Sequence, residues 1–340
     1  MPEPKPKVVV DARWSKLVGG IGRVSHQLLQ RLPAYPAAIK GGSPSSPLDV
    51  INPSRLRLSG RTVLYNPGYN AGFTDAHQLL TLHDLMHLTS ESSALKRAYY
   101  ERIVAPAIKR TGQVFTVSHA SAAAIREWLQ TDQVEVRVVY HGLSCVAERG
   151  TPPAGAGPRP DGPLRLLYVG NLMAHKNYPT ALKALAALRE ASLTVVTADD
   201  AEAWRQAEAV APGLRRRVLV RSKVTDQALA GLYQEADALL MPSLEEGFGL
   251  PALEALAWRK PVLYWEGCTA LAEVLGGFGH PVADPTSGSA WAQATQAAID
   301  APKPDEAALA AWLSQFNWDT AAAQVKDGID SAVARLEAQA

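Results

Sequence analysis

The sequence predicts an α/β protein made of two Rossmann-like, doubly wound parallel-sheet domains facing across a cleft. Short apolar strands alternate with helical patterns along the chain, the signature of βαβ units. Residues 150–162, Gly-Thr-Pro-Pro-Ala-Gly-Ala-Gly-Pro-Arg-Pro-Asp-Gly, suit neither a helix nor a central strand and separate two such series. A length of 340 residues is ordinary for two domains that each bury a core. The expected domains are 1–149 and 163–319, joined by the linker 150–162, with a last helix over 320–340 returning to the first.

In the first domain, Val8-Val9-Val10 reads as a buried strand, 16–22 as a loop and 22–32 as a helix. Further strands are expected at 62–65, 78–82, 114–117 and 136–140. A helix over 93–110 is kinked or divided by Pro106, and one over 118–130 is capped by Ser118 or Ser121. In the second domain, strands are expected at 164–169, 193–197, 217–221, 238–241 and 261–265. Helices at 180–190, 201–209 and 226–235 alternate with them.

Composition is that of a soluble globular protein, 47% hydrophobic and 20% charged. No apolar run approaches the roughly 18–20 residues that span a bilayer, and Met-Pro-Glu-Pro-Lys-Pro-Lys is no signal peptide. Cys145 and Cys268 lack metal-ligand spacing, so a reducing cytoplasm is expected. The net charge of +1 hides an asymmetry: 18 Lys and Arg against 11 Asp and Glu in residues 1–150, and 16 against 22 afterwards. The basic half suits an anionic partner, or simply a solvated surface.

The most informative stretch is Met241-Pro-Ser-Leu-Glu-Glu-Gly-Phe-Gly-Leu-Pro-Ala-Leu-Glu254. An apolar strand runs into a glycine loop, and Pro251 then opens a helix. The free N–H groups and positive dipole end of such a helix favour an anion. Glu246 in the loop and Glu254 in the helix suit hydroxyls, and anion plus hydroxyls describes a sugar nucleotide. Gly19-Gly20-Ile21-Gly22-Arg23 offers a second close approach before a helix. It also resembles a dinucleotide fingerprint without its last glycine, and Asp49 is a poor candidate for the acidic partner, which counts against a dehydrogenase. His83-Asp84 falls at a strand end, where open α/β sheets bind ligands, and His119 and His141 also follow strands, with His87 nearby. Tyr168-Val-Gly170-Asn-Leu-Met-Ala-His175-Lys176-Asn177 is strand, loop and helix start, and Lys176 at that helix start makes sense opposite a diphosphate. No G-x-x-x-x-G-K-[ST] phosphate loop occurs.

With these residues in view, the chain resembles glycosyltransferase family 4, retaining enzymes of GT-B fold that use nucleotide sugars. Its E-x7-E motif runs from Glu246 to Glu254, and Gly19-Gly-Ile-Gly22, Thr81-Leu-His-Asp84, Thr116-Val-Ser118, Tyr168-Val-Gly170 and His175-Lys-Asn177 follow the family's order. So do Leu239-Leu-Met-Pro-Ser243, Glu273-Val and Asp284-Pro285. The resemblance implies that Glu246 faces the donor sugar and Glu254 takes the ribose. Backbone N–H groups of Phe248, Gly249 and Leu250 would hold hydroxyls and phosphate. Lys176 and the Gly19–Gly20 turn would neutralise the diphosphate, His83 would contact the sugar, and Lys223 and Val224 would lie at the base. Asn171 and His175 stand where many members have arginine, so Arg13 or Arg23 is a candidate substitute. Val196-Thr-Ala-Asp199 replaces a glycine-rich turn.

The function implied is transfer of a hexose from GDP-mannose or a UDP-hexose to a saccharide or glycolipid acceptor. No cofactor, metal or nucleic acid is expected. A GT-B epimerase or phosphorylase-like enzyme, and a sugar-nucleotide-binding protein without activity, are the other readings. The segment with Lys96, Arg97, Tyr99, Tyr100, Arg102, Lys109 and Arg110 is a candidate for peripheral contact with anionic membrane at its inner face.

Overall fold

The computed structural model describes residues 5–17, 19–37, 43–44, 46, 49–50, 58–88, 94–143 and 162–339. The expected linker lies outside the described residues except for Gly162, as do Ser93 and Cys145. The chain divides into two compact units, one of Met1–Gly142 with Phe316–Ala340 and the other of Leu143–Gln315.

In the first unit, strands β1 (Lys7–Val10), β2 (Thr62–Asn66) and β3 (His77–Leu80) form a parallel sheet in that order. β4 (Gln113–Thr116) and β5 (Glu135–Val138) pair in parallel beside it. A Thr81–Phe115 bridge links the two groups, and the Leu82 N–H donates to Phe115 O at 2.9 Å. Every residue of β2 is buried, as a central parallel strand requires. Helix α1 (Gly20–Arg31) starts two residues earlier than expected, because Gly19 at φ 116° takes the cap. A Cβ on Gly22 would stand 1.9 Å from Leu17 O, so the turn before α1 needs glycine there.

The expected 93–110 helix is α2 (Ala94–Tyr99), a π turn (Tyr100–Val104) and α3 (Ala105–Thr111) without a break. Pro106 has no N–H to offer the preceding turn, and the wider π turn, in which Ala105 N–H reaches Tyr100 O, accommodates it. The membrane-contact expectation is corrected at Tyr100, which is 2% exposed. With Val104 and Ile108 it forms the inward face at a spacing of four, and Tyr99 gives its hydroxyl hydrogen to Ala71 O at 2.8 Å. α4 (His119–Leu129) is capped by Ser118, whose hydroxyl accepts from Ser121 N–H. The C-terminal helix, Trp318–Ala338, packs on α1, β1, β2 and β4. Phe316 and Trp318 also belong to this unit, since their rings meet Tyr140 and His141.

The second unit is a six-stranded sheet ordered β11-β10-β9-β6-β7-β8, parallel throughout. Its strands are β6 (Leu164–Val169), β7 (Ala191–Val196), β8 (Val218–Arg221), β9 (Ala238–Met241), β10 (Val262–Trp265) and β11 (His280–Val282). The helices are α5 (Tyr178–Ala187), α6 (Asp200–Val210), α7 (Asp226–Glu235), α8 (Leu250–Ala257), α9 (Thr269–Leu275), α10 (Gly288–Asp300) and α11 (Glu306–Leu313). Alternate residues of each central strand feed opposite cores. Leu164, Leu166, Tyr168, Ala238 and Leu240 join Tyr178, Leu182 and Trp291 on one face. Leu167, Leu239 and Met241 join Tyr233, Leu256 and Leu271 on the other. Helices therefore cover both faces.

At the end of β1, Arg13 is held by two carboxylates: Nη1 lies 2.7 Å from Asp49 and Nη2 2.8 Å from Asp11. Burial alone would lower its pKa, but hydrogen bonds and charge from Asp11 and Asp49 outweigh that and raise it. Asn70 donates to Asp49 at 2.7 Å and Asn66 to Asn70, which extends the network to the end of β2. Arg13 thus serves the fold of this unit rather than standing ready to replace a missing arginine. Arg13→Met should destabilise the protein by about 3–5 kcal/mol, because two buried carboxylates lose their counter-charge. A urea midpoint unchanged from wild type would refute this account of the network.

Candidate active site

Counted from β6, the strands of the second unit stand in the order third, second, first, fourth, fifth, sixth. The order reverses between β6 and β9, and open α/β sheets bind ligands beyond the carboxyl ends of the strands at such a point. The loop after β6 carries Asn171, His175 and Lys176, and the loop after β9 carries Glu246, Phe248 and Gly249. Lys176 Nζ donates to both Glu246 oxygens, each at 2.7 Å. The two side chains are 18% and 7% exposed, so this charge pair is mostly withdrawn from water.

The helix that follows is set by glycine. Gly249 sits at φ 91°, and a Cβ there would meet Leu271 at 2.4 Å. Only a residue without a side chain can turn the chain so sharply against α9. Leu250 and Pro251 open α8; Pro251 has no N–H, and the N–H groups of Ala252 and Leu253 donate back to Gly249 O. Phe248 is buried beside them. Glu254 lies inside α8, 1% exposed, and accepts the Tyr233 hydroxyl hydrogen at 2.9 Å. Tyr233 comes from α7, the helix that begins just after Lys223 and Val224. Lys223 itself is exposed with φ 52°, at the end of β8, two strand spacings or about 10 Å from β6. Val224 packs against the core that holds Tyr233.

Asn171 spends its side-chain oxygen on its own turn, accepting from Met173 N–H at 3.2 Å. Its carbonyl accepts from the Tyr168 hydroxyl at 2.8 Å. Burial raises the Tyr168 pKa, and the charge of Glu246 adds to this. Burial also pushes the Cys268 thiol up to about 12, and it lies close enough to feel Glu246 and Lys176. Tyr233 was not singled out by sequence, Cys268 was noted only for lacking metal-ligand spacing, and Tyr168 entered only as part of the Tyr168-Val-Gly170 match to the family order. Asp199, in the segment that departs from the family pattern, caps α6 by accepting from Glu202 N–H. Among the described residues no three His, Cys, Asp or Glu side chains gather as a metal site. Likewise, no described helix is long and apolar enough to cross a membrane.

In the first unit, Gly19 and Gly20 precede and open α1, and a Cβ on either would meet no described atom within 4 Å. His83 follows β3 and is 8% exposed. Its Nε2 lies 3.0 Å from Pro67 O; a carbonyl only accepts, so Nε2 carries the proton and Nδ1 remains as acceptor. The His83 ring faces His141 at 5.6 Å, and His141 stacks on Trp318 at 5.7 Å. His119 instead meets Tyr140 edge-on, and the side chain of His87 lies outside the described residues. Burial lowers the pKa of His83, despite the Pro67 contact and Asp84, and lowers that of His141 further with the help of His83. Unfolded imidazoles titrate near the ordinary value of about 6.5. The unfolded chain therefore binds more protons, and stability present above that pH is lost as pH falls below it. The urea midpoint of the wild type should drop between about pH 7 and pH 5, and less steeply in His141→Phe. Identical slopes would contradict the buried-pair account.

The chain is similar to known glycosyltransferases. The chain is 25% identical over 189 residues to the O-antigen chain mannosyltransferase RfbU of Salmonella typhimurium, covering 55% of this chain and 51% of that protein. It is 34% identical over 195 residues to the D-inositol 3-phosphate glycosyltransferase of Xylanimonas cellulosilytica, covering 53% and 45%. The chain thus spans about half the length of these curated relatives. Anabaena Alr3699/HepE, solved in complex with UDP and glucose, superposes with a TM-score of 0.71 at 15% identity, over 96% of this chain and all of that one. This last likeness is one of fold, the GT-B architecture of two Rossmann-like domains. Residues 155–309, which contain Lys176, Glu246, Gly249 and Glu254, match the model of the family described as Glycosyl transferases group 1.

Proposed function

We propose that the chain is a retaining glycosyltransferase that moves a hexose from a nucleotide sugar to a saccharide or glycolipid acceptor. The observation that carries this reading is the Lys176–Glu246 pair at the point where the strand order reverses, with Gly249 and the start of α8 beside it. A nucleoside diphosphate leaving the anomeric carbon develops negative charge on its phosphate. Lys176 and the positive dipole end of α8 supply fixed positive potential for that charge, and preorganised groups cost no reorganisation as the bond breaks. Glu246 accepts hydroxyl hydrogens of the donor sugar, and Glu254 those of the ribose once Tyr233 yields to them. His83 and the Gly19–Gly20 turn keep the sugar- and phosphate-contacting roles that the family resemblance implies, with the neutral His83 accepting through Nδ1.

The donor base and sugar belong to this proposal as well. RfbU is named a mannosyltransferase, which favours GDP-mannose, and the HepE complex with UDP and glucose favours a UDP-hexose. Attack by the acceptor on the face that the diphosphate leaves, with leaving phosphate as base, gives retention without a separate protein nucleophile. No divalent metal enters this scheme, since Lys176 and the positive dipole end of α8 take the place of the counter-ion.

Lys176→Ala and Glu246→Ala should each lower transfer by about 100-fold or more while leaving the thermal transition cooperative. Full activity of both with a competent donor and acceptor would overturn the assignment. Turnover should persist in chelator; its loss there and recovery with Mg²⁺ or Mn²⁺ would contradict the metal-free scheme. Donor binding without turnover across many acceptors would instead favour a binding protein without activity, the reading suggested by Asn171 and His175 in place of arginine.

A further inference from the structure

Next in sequence to Lys176, Asn177 has a side chain that reaches two distant loops. It occupies the left-handed region at φ 50°, closing the short turn Ala174–Lys176 and opening α5. Its amide nitrogen donates to two carbonyls from distant loops, Pro242 O at 3.1 Å and Pro285 O at 2.7 Å. Its side-chain oxygen accepts from the Thr180 hydroxyl at 2.9 Å, which also lies 2.8 Å from Pro285 O.

Each carbonyl belongs to a loop that matters. Pro242 directly follows β9 and begins the segment that leads to Glu246. A second strut ties the same loops: Leu244 N–H donates to His175 O at 2.7 Å. Pro285 sits in a turn held by Asp284, whose carboxylate accepts from Thr286 N–H, the Thr286 hydroxyl and Ser287 N–H. Trp291 fixes that turn from α10 by donating to Asp284 O at 2.9 Å. The amide group therefore gathers the chain ends of β6, β9 and β11 at one point, next in sequence to the lysine that meets Glu246.

We propose that Asn177 is the positioning residue of this site: its side-chain amide fixes the β9 loop against the β6 loop and so sets the Lys176–Glu246 pair. A primary amide has two N–H donors, and both are used here on carbonyls that cannot turn away. Aspartate would present oxygen to oxygen, and glycine would keep the left-handed backbone but release both loops. The diphosphate-binding consequence rests on the function proposed above; the positioning itself does not.

The test compares wild type with Asn177→Gly, which avoids backbone strain, and with Asn177→Asp. The first readout needs no ligand: the rate of acetylation of Lys176 by a small acylating reagent, followed by mass spectrometry against the other lysines. Asn177→Gly should raise Lys176 labelling several-fold while the other lysines change little. Unchanged Lys176 labelling in both variants would overturn the proposal, and a uniform rise at all lysines would mean general loosening and overturn it too. The second readout is the Kd for UDP and GDP by calorimetry. Asn177→Gly should weaken binding by about 10-fold in the wild-type background and have no further effect when combined with Lys176→Met, because groups that act through one another are not additive. An equal loss in both backgrounds would overturn action through Lys176. Wild-type protein that binds neither nucleotide, with Lys176 labelling still raised by Asn177→Gly, would refute the proposed function and leave the positioning role standing.

Discussion

Everything at the candidate site of the second unit depends on one constraint: two opposite charges must be kept together where water is scarce. Lys176 and Glu246 meet at 2.7 Å with little exposure. At an effective dielectric near 20, unit charges 4 Å apart attract by about 4 kcal/mol, and desolvation cancels much of this. The pair therefore contributes little net stability. Its use is positional, since neither charge can wander without leaving the other exposed to an apolar surrounding. A ligand bearing both phosphate and hydroxyls is the chemistry that could satisfy the two groups separately, the anion taking the lysine and the hydroxyls the carboxylate.

The sheet supplies what the pair cannot. A parallel sheet places the ends of β6 and β9 side by side and sends their connections to opposite faces, which opens a gap at that place only. Apolar side chains alternating between two cores hold those strands in register. Above them, Gly249 turns the chain into α8 and Asn177 ties the loops. In the first unit the same logic appears with different chemistry, where Arg13 anchors the end of β1 to Asp49 and Asn70. There a buried ion network takes the part that an amide plays in the second.

Much of this was legible in the sequence, for local reasons. A strand running into Glu-Gly-Phe-Gly-Leu-Pro can do little else than turn and begin a helix, and the Ser118 cap was visible in the same way. The burial of Tyr100 was missed because its basic neighbours dominate the segment, whereas its spacing from Val104 and Ile108 marks the inward face. β11 was missed because Pro281 interrupts it, which an edge strand tolerates. The alanine-rich α11 went unplaced, as its weak periodicity gives no clear apolar face. The contacts of Asn177 reach 65 and 108 residues along the chain, and no local pattern records them. The ion pair spans 70 residues, and sequence supplied its two members without their meeting.

Lys176 and its neighbours are proposed to form a diphosphate site. The most direct measurement is a thermal-shift screen of UDP, GDP, ADP and TDP against wild type and Lys176→Met in parallel. A ligand at 100 times its Kd stabilises the folded state by about 2.7 kcal/mol, enough to raise the midpoint by a few degrees. Such a rise is expected for at least one nucleoside diphosphate with wild type and a much smaller one with the variant. No rise with any of the four, or an equal rise in both proteins, would contradict the diphosphate site.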